Sequence, residues 1–124
     1  MTFAIPFALA ALAAQAATGG GPPVLTLEQE TAVRCSAAFA IVTAEQAAGS
    51  DAALGWPVLG ARGREYFVRT GARLMDETGA DRQTVGDLFN RSAAALRADG
   101  QIKPRLDALR TPCLTMLDLT IPAP

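Results

Sequence analysis

Apolar side chains recur at three- and four-residue spacing in four successive stretches of this chain, and this pattern constrains the fold most strongly. Side chains three or four positions apart lie on the same face of an α-helix, so each stretch predicts one amphipathic helix. No stretch alternates apolar with polar residues, and no Asn-Gly or Asp-Gly pair joins two β-branched runs. The sequence therefore predicts an all-α protein.

Capping residues and helix breakers predict the bounds of the first two helices. Thr26 followed by Gln29 is a capping-box pattern, so we expect the first helix to begin at Thr26 and to end at Gly49. Pro57 suits the first turn of the second helix, and Gly79 is placed to terminate it. The intervening residues have the composition of a loop.

The third and fourth predicted helices lie in the last third of the chain. Asp81 is a good N-cap for the third helix, which the pair Asp99-Gly100 breaks. In the last segment Lys103-Pro104 and Thr111-Pro112 both look like helix starts, so this segment reads as two short helices or one kinked helix ending near Leu119. The short connections predict a four-helix up-down bundle with a kinked or split last helix.

The first sixteen residues, MTFAIPFALAALAAQA, predict a signal peptide. They carry no charged side chain, and the apolar run from Phe3 to Ala14 falls short of the ~20 residues that a membrane-spanning helix needs. Ala14-Gln15-Ala16 supplies the small-x-small pattern for cleavage after Ala16. Because no Lys or Arg precedes the apolar run, an N-terminal core helix or an interfacial anchor is the alternative.

The predicted organisation follows from this segment and from composition. We assign a signal peptide to residues 1–16, a flexible Gly- and Pro-rich linker to residues 17–25, a helical domain to residues 26–120 and a tail to residues 121–124. The expected location is periplasmic or secreted, with no stable membrane span after cleavage.

Cys35 and Cys113 are the two cysteines of the chain, and we predict that they form a disulfide. Cys35 follows the start of the first helix, and Cys113 precedes the end of the last helix, by similar numbers of residues. At ~1.5 Å per residue, both cysteines therefore lie at a similar height along the axis of an antiparallel bundle. An exported protein meets oxidising conditions. A bond between residues 78 positions apart would constrain the unfolded chain by roughly 4.5 kcal/mol. Two separate buried thiols are the alternative.

The chain contains no histidine, which removes the commonest general base and the usual ligand of zinc and haem. The cysteines do not form a C-x-x-C pair, and neither a phosphate-loop nor a dinucleotide-binding signature occurs. A net charge of −1 gives no reason to expect nucleic acid as a partner. We therefore assign no catalytic residue, no metal site and no cofactor, and enzymatic activity is the less favoured interpretation.

Acidic residues leave one enzymatic alternative open, a carboxylate-dependent hydrolase or lyase. Asp76, Glu77 and Asp81 cluster around the turn between the second and third helices, where carboxylates are also ordinary capping groups. The alternative requires a pair of acids that converge in a cleft with a raised pKa.

Arg62, Arg69 and Arg73 fall on one side of the second helix and are the candidate anion- or partner-binding residues. Such a strip could meet a phosphate, an acidic partner or a lipid head group. Glu65 precedes Arg69 by four positions and Glu77 follows Arg73 by four, so solvated ion pairs are the alternative.

Trp56 is the only tryptophan and lies in a predicted loop, in Leu54-Gly55-Trp56-Pro57. Its indole could cap one end of the core or present an aromatic anchor to a partner or ligand. The sequence leaves both interpretations open.

The segments Arg34 to Ala40 (RCSAAFA) and Gly63 to Met75 (GREYFVRTGARLM) resemble those of uncharacterised small exported proteins from alphaproteobacteria. The resemblance spans most of the chain beyond the predicted signal peptide and implies no activity. In size, helices and cysteine count the chain is also similar to the acid-stress periplasmic chaperones of the HdeA type. We therefore expect a non-enzymatic periplasmic binding or protein-interaction module, with a link to stress implied by this second resemblance, whose partner is an unknown protein or small ligand.

Overall fold

The computed structural model describes residues 22–123, so the predicted signal peptide over residues 1–16 lies outside the described residues. Between residues 22 and 123 the chain forms α-helices and short 3₁₀-helices and contains no strand. The all-helical bundle with four α-helices is thus confirmed. The α-helices are α1 (Leu27–Ala47), α2 (Gly60–Thr78), α3 (Arg82–Arg97) and α4 (Ile102–Thr120), and the 3₁₀-helices are Asp51–Ala53 and Ala98–Gly100.

The helix-capping residues act as the sequence predicts. The Thr26 hydroxyl accepts a hydrogen bond from the Gln29 N–H at 3.1 Å, and the Thr26 N–H donates to Gln29 Oε1 at 2.9 Å, which completes the capping box of α1. Asp81 Oδ1 accepts from the Thr84 N–H at 2.8 Å at the start of α3, and this bond lowers the pKa of the Asp81 carboxyl. Gly79 ends α2 in the left-handed conformation, with φ of 71°.

α2 differs in extent from the prediction, and the last helix takes one of its two predicted forms, a single helix. α2 begins at Gly60 rather than at Pro57, because residues 56–59 run without regular structure and both Trp56 and Leu59 reach the core from this segment. The last helix is continuous from Ile102 to Thr120 and is not split, although Pro112 lies inside it. Proline has no N–H to donate, so one bond of the helical ladder is missing at that point.

α1 is the central helix of the bundle and packs against each of the other three. The spacing of its apolar residues predicts one buried stripe, but the buried residues in the middle of the helix extend well beyond that stripe, while Arg34 and Ala40 remain exposed. Small and β-branched side chains allow this close packing from several directions. The buried residues of α1 are Ala32, Val33, Cys35, Ser36, Ala37, Ala38, Phe39, Ile41 and Val42.

A disulfide joins Cys35 of α1 to Cys113 of α4, as the sequence predicts. The two Cα atoms lie 5.2 Å apart, and both residues are almost wholly inaccessible to solvent, with exposed fractions of 1% and 0%. The bond therefore fastens the last helix to the central one from within the core.

α4 ends beside the beginning of α2. The Arg62 guanidinium, in the first turn of α2, donates to the carbonyl oxygen of Ile121 at 2.6 Å and to Asp118 Oδ1 at 2.7 Å. In a regular up-down bundle the start of the second helix and the end of the fourth lie at opposite ends of the molecule. α4 is therefore inclined across the bundle, and Ile121 at its end is buried.

Candidate binding groove

An apolar groove runs along one side of α2, and we call it the α2 groove. Its first part lies between α1 and α2 and has a volume of about 680 Å³, and its second part lies between α2 and α3 and has a volume of about 370 Å³. Phe67 and Val68 line both parts, so the two parts adjoin at these side chains. Val68 is 60% exposed although it is apolar.

The wall of the groove is a second apolar stripe on α2. Ala61, Arg64, Val68, Ala72 and Met75 recur at three- and four-residue spacing and line the groove. This stripe lies beside the buried face of α2, and only Arg64 interrupts its apolar character. Met75 also packs against the core, whereas Ala61, Val68 and Ala72 are exposed and form a surface that core packing leaves uncovered.

Gly63 of α2 lies in a crowded place, whereas Gly71 does not. A Cβ atom on Gly63 would lie 3.1 Å from Leu59 Cβ and 3.5 Å from Phe39 Cβ, and one on Gly71 would lie 3.5 Å from Phe89 Cε2. The distance to Leu59 is tight and those to Phe39 and Phe89 are ordinary van der Waals contacts, so close packing favours glycine at position 63 alone.

Aromatic rings from three helices form the floor of the groove. Phe67 and Phe89 are stacked at a tilt, with ring centroids 4.4 Å apart. Phe39 packs edge-on to Tyr66 with centroids 5.1 Å apart, and burial raises the pKa of the Tyr66 hydroxyl. Because these rings belong to the core, the floor is rigid and preformed.

The charged residues that line the α2 groove are both arginines. Arg64 lines the first part and Arg82 the second, while Thr43 and Asn90 contribute neutral polar groups. Within residues 22–123 neither arginine forms an ion pair, whereas Arg62, Arg69 and Arg73 each do. The groove thus combines an apolar floor with two uncompensated positive charges.

Arg62, one of the arginines that the sequence selects, is engaged in holding the fold together. It bonds to Asp118 and to the Ile121 carbonyl, as described above, and it is about a quarter exposed. It does not line the α2 groove.

The other two selected arginines form the ion pairs that the spacing predicts. Arg69 Nη2 lies 2.5 Å from Glu65 Oε1, and Arg73 Nε lies 3.9 Å from Glu77 Oε1, all four side chains being well exposed. Such exposed pairs stabilise a fold by at most about 1 kcal/mol each. The three arginines do not converge, and their role in binding an anion or a partner stays a prediction.

Trp56 lies in the core, with only 7% of its surface exposed. Its ring packs edge-on to Phe39 at a centroid distance of 6.3 Å, and Gln46 Nε2 donates to the Trp56 carbonyl oxygen at 3.3 Å. The indole Nε1 has no hydrogen-bond partner in the described part of the chain. The burial agrees with a residue that caps one end of the core.

None of the acidic side chains is buried. Asp81 is an N-cap, and the pKa of Glu45 is lowered by hydrogen bonds from Ser50 and Arg97. Glu28 and Glu77 do line one small cleft of about 160 Å³, but Arg73 lies there too and the cleft is open to water. No observation therefore favours the hydrolase or lyase alternative.

Residues 22–123 contain no group of three or more potential metal ligands, and no helix among them is long and apolar enough to cross a membrane.

No known protein family matches this chain. Comparison with curated proteins and with solved structures finds no match either. A function for this protein therefore has to be inferred from the geometry of the α2 groove.

Sequence reasoning did not select Arg64 and Arg82. The available signal was the second stripe of α2, whose apolar members Ala61, Val68 and Ala72 lie outside the face that packs into the core. An apolar stripe beside the main one indicates a surface that is left for another molecule.

Proposed function

We propose that this protein is a non-enzymatic binding or protein-interaction module of the periplasm or the extracellular space, and that the α2 groove is its binding surface. The observation that carries the proposal is the pair of adjoining apolar clefts along α2, which have an aromatic floor and are bordered by two arginines without an ion pair among the described residues. Pockets with an apolar lining and a few placed polar groups are the usual form of a binding site.

The proposed compartment is supported by the disulfide. A buried bond between α1 and α4 fits a protein that folds under oxidising conditions. The apolar segment at the start of the sequence supports export for the reason given above.

An anionic apolar dye tests whether the groove binds. We expect anilinonaphthalene sulfonate to bind the folded protein at one dominant site, because the dye combines aromatic rings with a negative charge. In a Val68→Glu variant the new carboxylate stands in the middle of the groove, and we expect a loss of dye affinity of at least about tenfold. Fluorescence titration measures both affinities.

Val58→Glu is the matched control, since Val58 is 88% exposed and does not line the groove. This variant introduces the same charge and should bind the dye as the unmodified protein does. If the folded protein binds no dye, or if both variants lose affinity equally, the α2 groove is not a binding surface and the proposal is wrong.

A further inference from the structure

We propose that the occupant of the α2 groove is an acidic amphipathic helix of about fifteen residues that belongs to a partner protein. This inference rests on the proposed function and adds to it the chemical class of the partner. It is carried by the open shape of the groove, by the small residues along it and by the position of its two arginines.

The shape of the groove favours a helix over an acyl chain. Ala40, Thr43, Ala61 and Ala72 are all exposed, so the groove is open to water along its length. A small apolar ligand is held tightly only where most of its surface is buried, so an open groove binds a ligand of the size of the dye only weakly. An amphipathic helix buries one stripe and keeps its opposite face in water, as this groove requires.

The length of the groove sets the length of the partner helix. Along α2 it extends from Gly60 to Met75, which is about 22 Å at 1.5 Å per residue. A helix of about fifteen residues covers that distance and presents apolar side chains at positions i, i+3 or i+4, and i+7.

Small residues allow the backbone of a second helix to approach closely. Each part of the groove has a glycine in its lining, Gly60 in the first and Gly86 in the second, and the space around both is open. Ala61 and Ala72 add only methyl groups to the wall. Large side chains of the partner can therefore reach the aromatic floor.

The two arginines determine the charge of the partner. Arg64 lines the part of the groove between α1 and α2, and Arg82 lines the part between α2 and α3. A guanidinium without an acidic partner in the fold can bind a carboxylate in bidentate geometry. Two acidic side chains beside the apolar stripe of the partner helix, one for each part of the groove, would meet both arginines.

The test uses two synthetic helical peptides of about fifteen residues that share one apolar stripe. One carries Glu and the other Lys at the two flanking positions, and each is labelled for fluorescence anisotropy with the protein as purified from its host. We expect the acidic peptide to bind about tenfold more tightly than the basic one. In the double variant Arg64→Glu and Arg82→Glu we expect this preference to reverse.

The matched control is the double variant Arg34→Glu and Arg91→Glu. Both arginines are exposed, form no ion pair among the described residues and do not line the α2 groove. Because two arginines are again replaced by two glutamates, the net charge changes by the same amount as in the double variant of Arg64 and Arg82. Because neither side chain lines the groove, we expect the control to keep the preference of the unmodified protein for the acidic peptide.

Three results would overturn the inference. Equal binding of both peptides, or an equal effect of the control variant, would show that Arg64 and Arg82 do not select the partner. Dye binding without binding of either peptide, together with competition by a saturated fatty acid, would show that the occupant is an acyl ligand and would leave the proposed function standing. If neither the dye nor a peptide binds, the proposed function fails as well.

Discussion

Ser36 places a hydroxyl in the core of the bundle without a partner. The residue lies in the middle of α1 with an exposed fraction of 0%, and its Oγ forms no hydrogen bond with any described residue. A buried polar group without a partner costs about 1–3 kcal/mol. We expect Ser36→Ala to raise the free energy of unfolding by about 1–2 kcal/mol, since alanine also has the higher helix propensity.

Urea unfolding of the purified protein checks this expectation. Ser92→Ala is the control, because Ser92 lies in α3 and is only half-buried, so its replacement gains helix propensity alone. A Ser36→Ala variant that is less stable than the unmodified protein would show that the hydroxyl has a partner in solution, such as a buried water.

Single residues account for most of what the sequence predicts correctly. Thr26, Gly79 and Asp81 act at helix ends through bonds to residues a few positions away, so local sequence is enough to identify them. Whether Arg64 and Arg82 form ion pairs, in contrast, depends on which acidic residues the tertiary fold brings near them. No local pattern contains that information.

Gly79 and Gly86 allow the effect of backbone conformation on stability to be measured apart from the effect of packing. Gly86 lies inside α3 and Gly79 ends α2, and a methyl group on either would meet no atom within 4 Å. Gly79 has φ of 71°, which costs another residue roughly 1–2 kcal/mol, whereas Gly86 has helical geometry. We expect Gly86→Ala to stabilise the protein by about 0.5–1 kcal/mol and Gly79→Ala to destabilise it by about 1 kcal/mol.

The difference in urea midpoint between these two variants measures the effect of φ, since both changes add the same methyl group in open space. Circular dichroism at 222 nm, a standard helix signal, follows both transitions. If the two variants shift the midpoint in the same direction, the conformational argument for Gly79 is wrong.

At the scale of the elements, local periodicity predicts that α1 exists but not how much of it is buried. The stripe through Cys35, Phe39 and Val42 is buried as the spacing indicates. Ala37 and Ile41 lie off that stripe and are buried because other helices cover them as well. Because the buried surface of α1 extends well beyond one stripe, its central position follows only from the assembled fold.

At the scale of the whole molecule, the α2 groove exists because α2 packs against α1 and α3 without filling the space beside Val68. The sequence contains every residue that lines it, but their convergence requires the relative positions of three helices. The long-range contact that could be predicted is the disulfide, because a chain with two cysteines offers one intramolecular pairing.

Removal of this disulfide is expected to weaken the whole fold. The bond closes a loop between residues 78 positions apart, so the double variant Cys35→Ala and Cys113→Ala should lose about 4.5 kcal/mol of unfolding free energy, with further loss from the missing sulfur atoms. Urea unfolding of the variant and of the unmodified protein measures this difference, and a loss below about 1 kcal/mol would show that the bond is not a main constraint on the unfolded chain.

The burial of both cysteines also predicts when an alkylating reagent can reach them. Because Cys35 and Cys113 are 1% and 0% exposed, an alkylating reagent should reach them only after reduction in denaturant. For protein purified from the native cell envelope we expect an intact mass that begins at or near Ala17, with two alkylations after reduction and none before it. An uncleaved chain with thiols that react freely would contradict export, since export removes a signal peptide by proteolysis and brings the cysteines into an oxidising compartment.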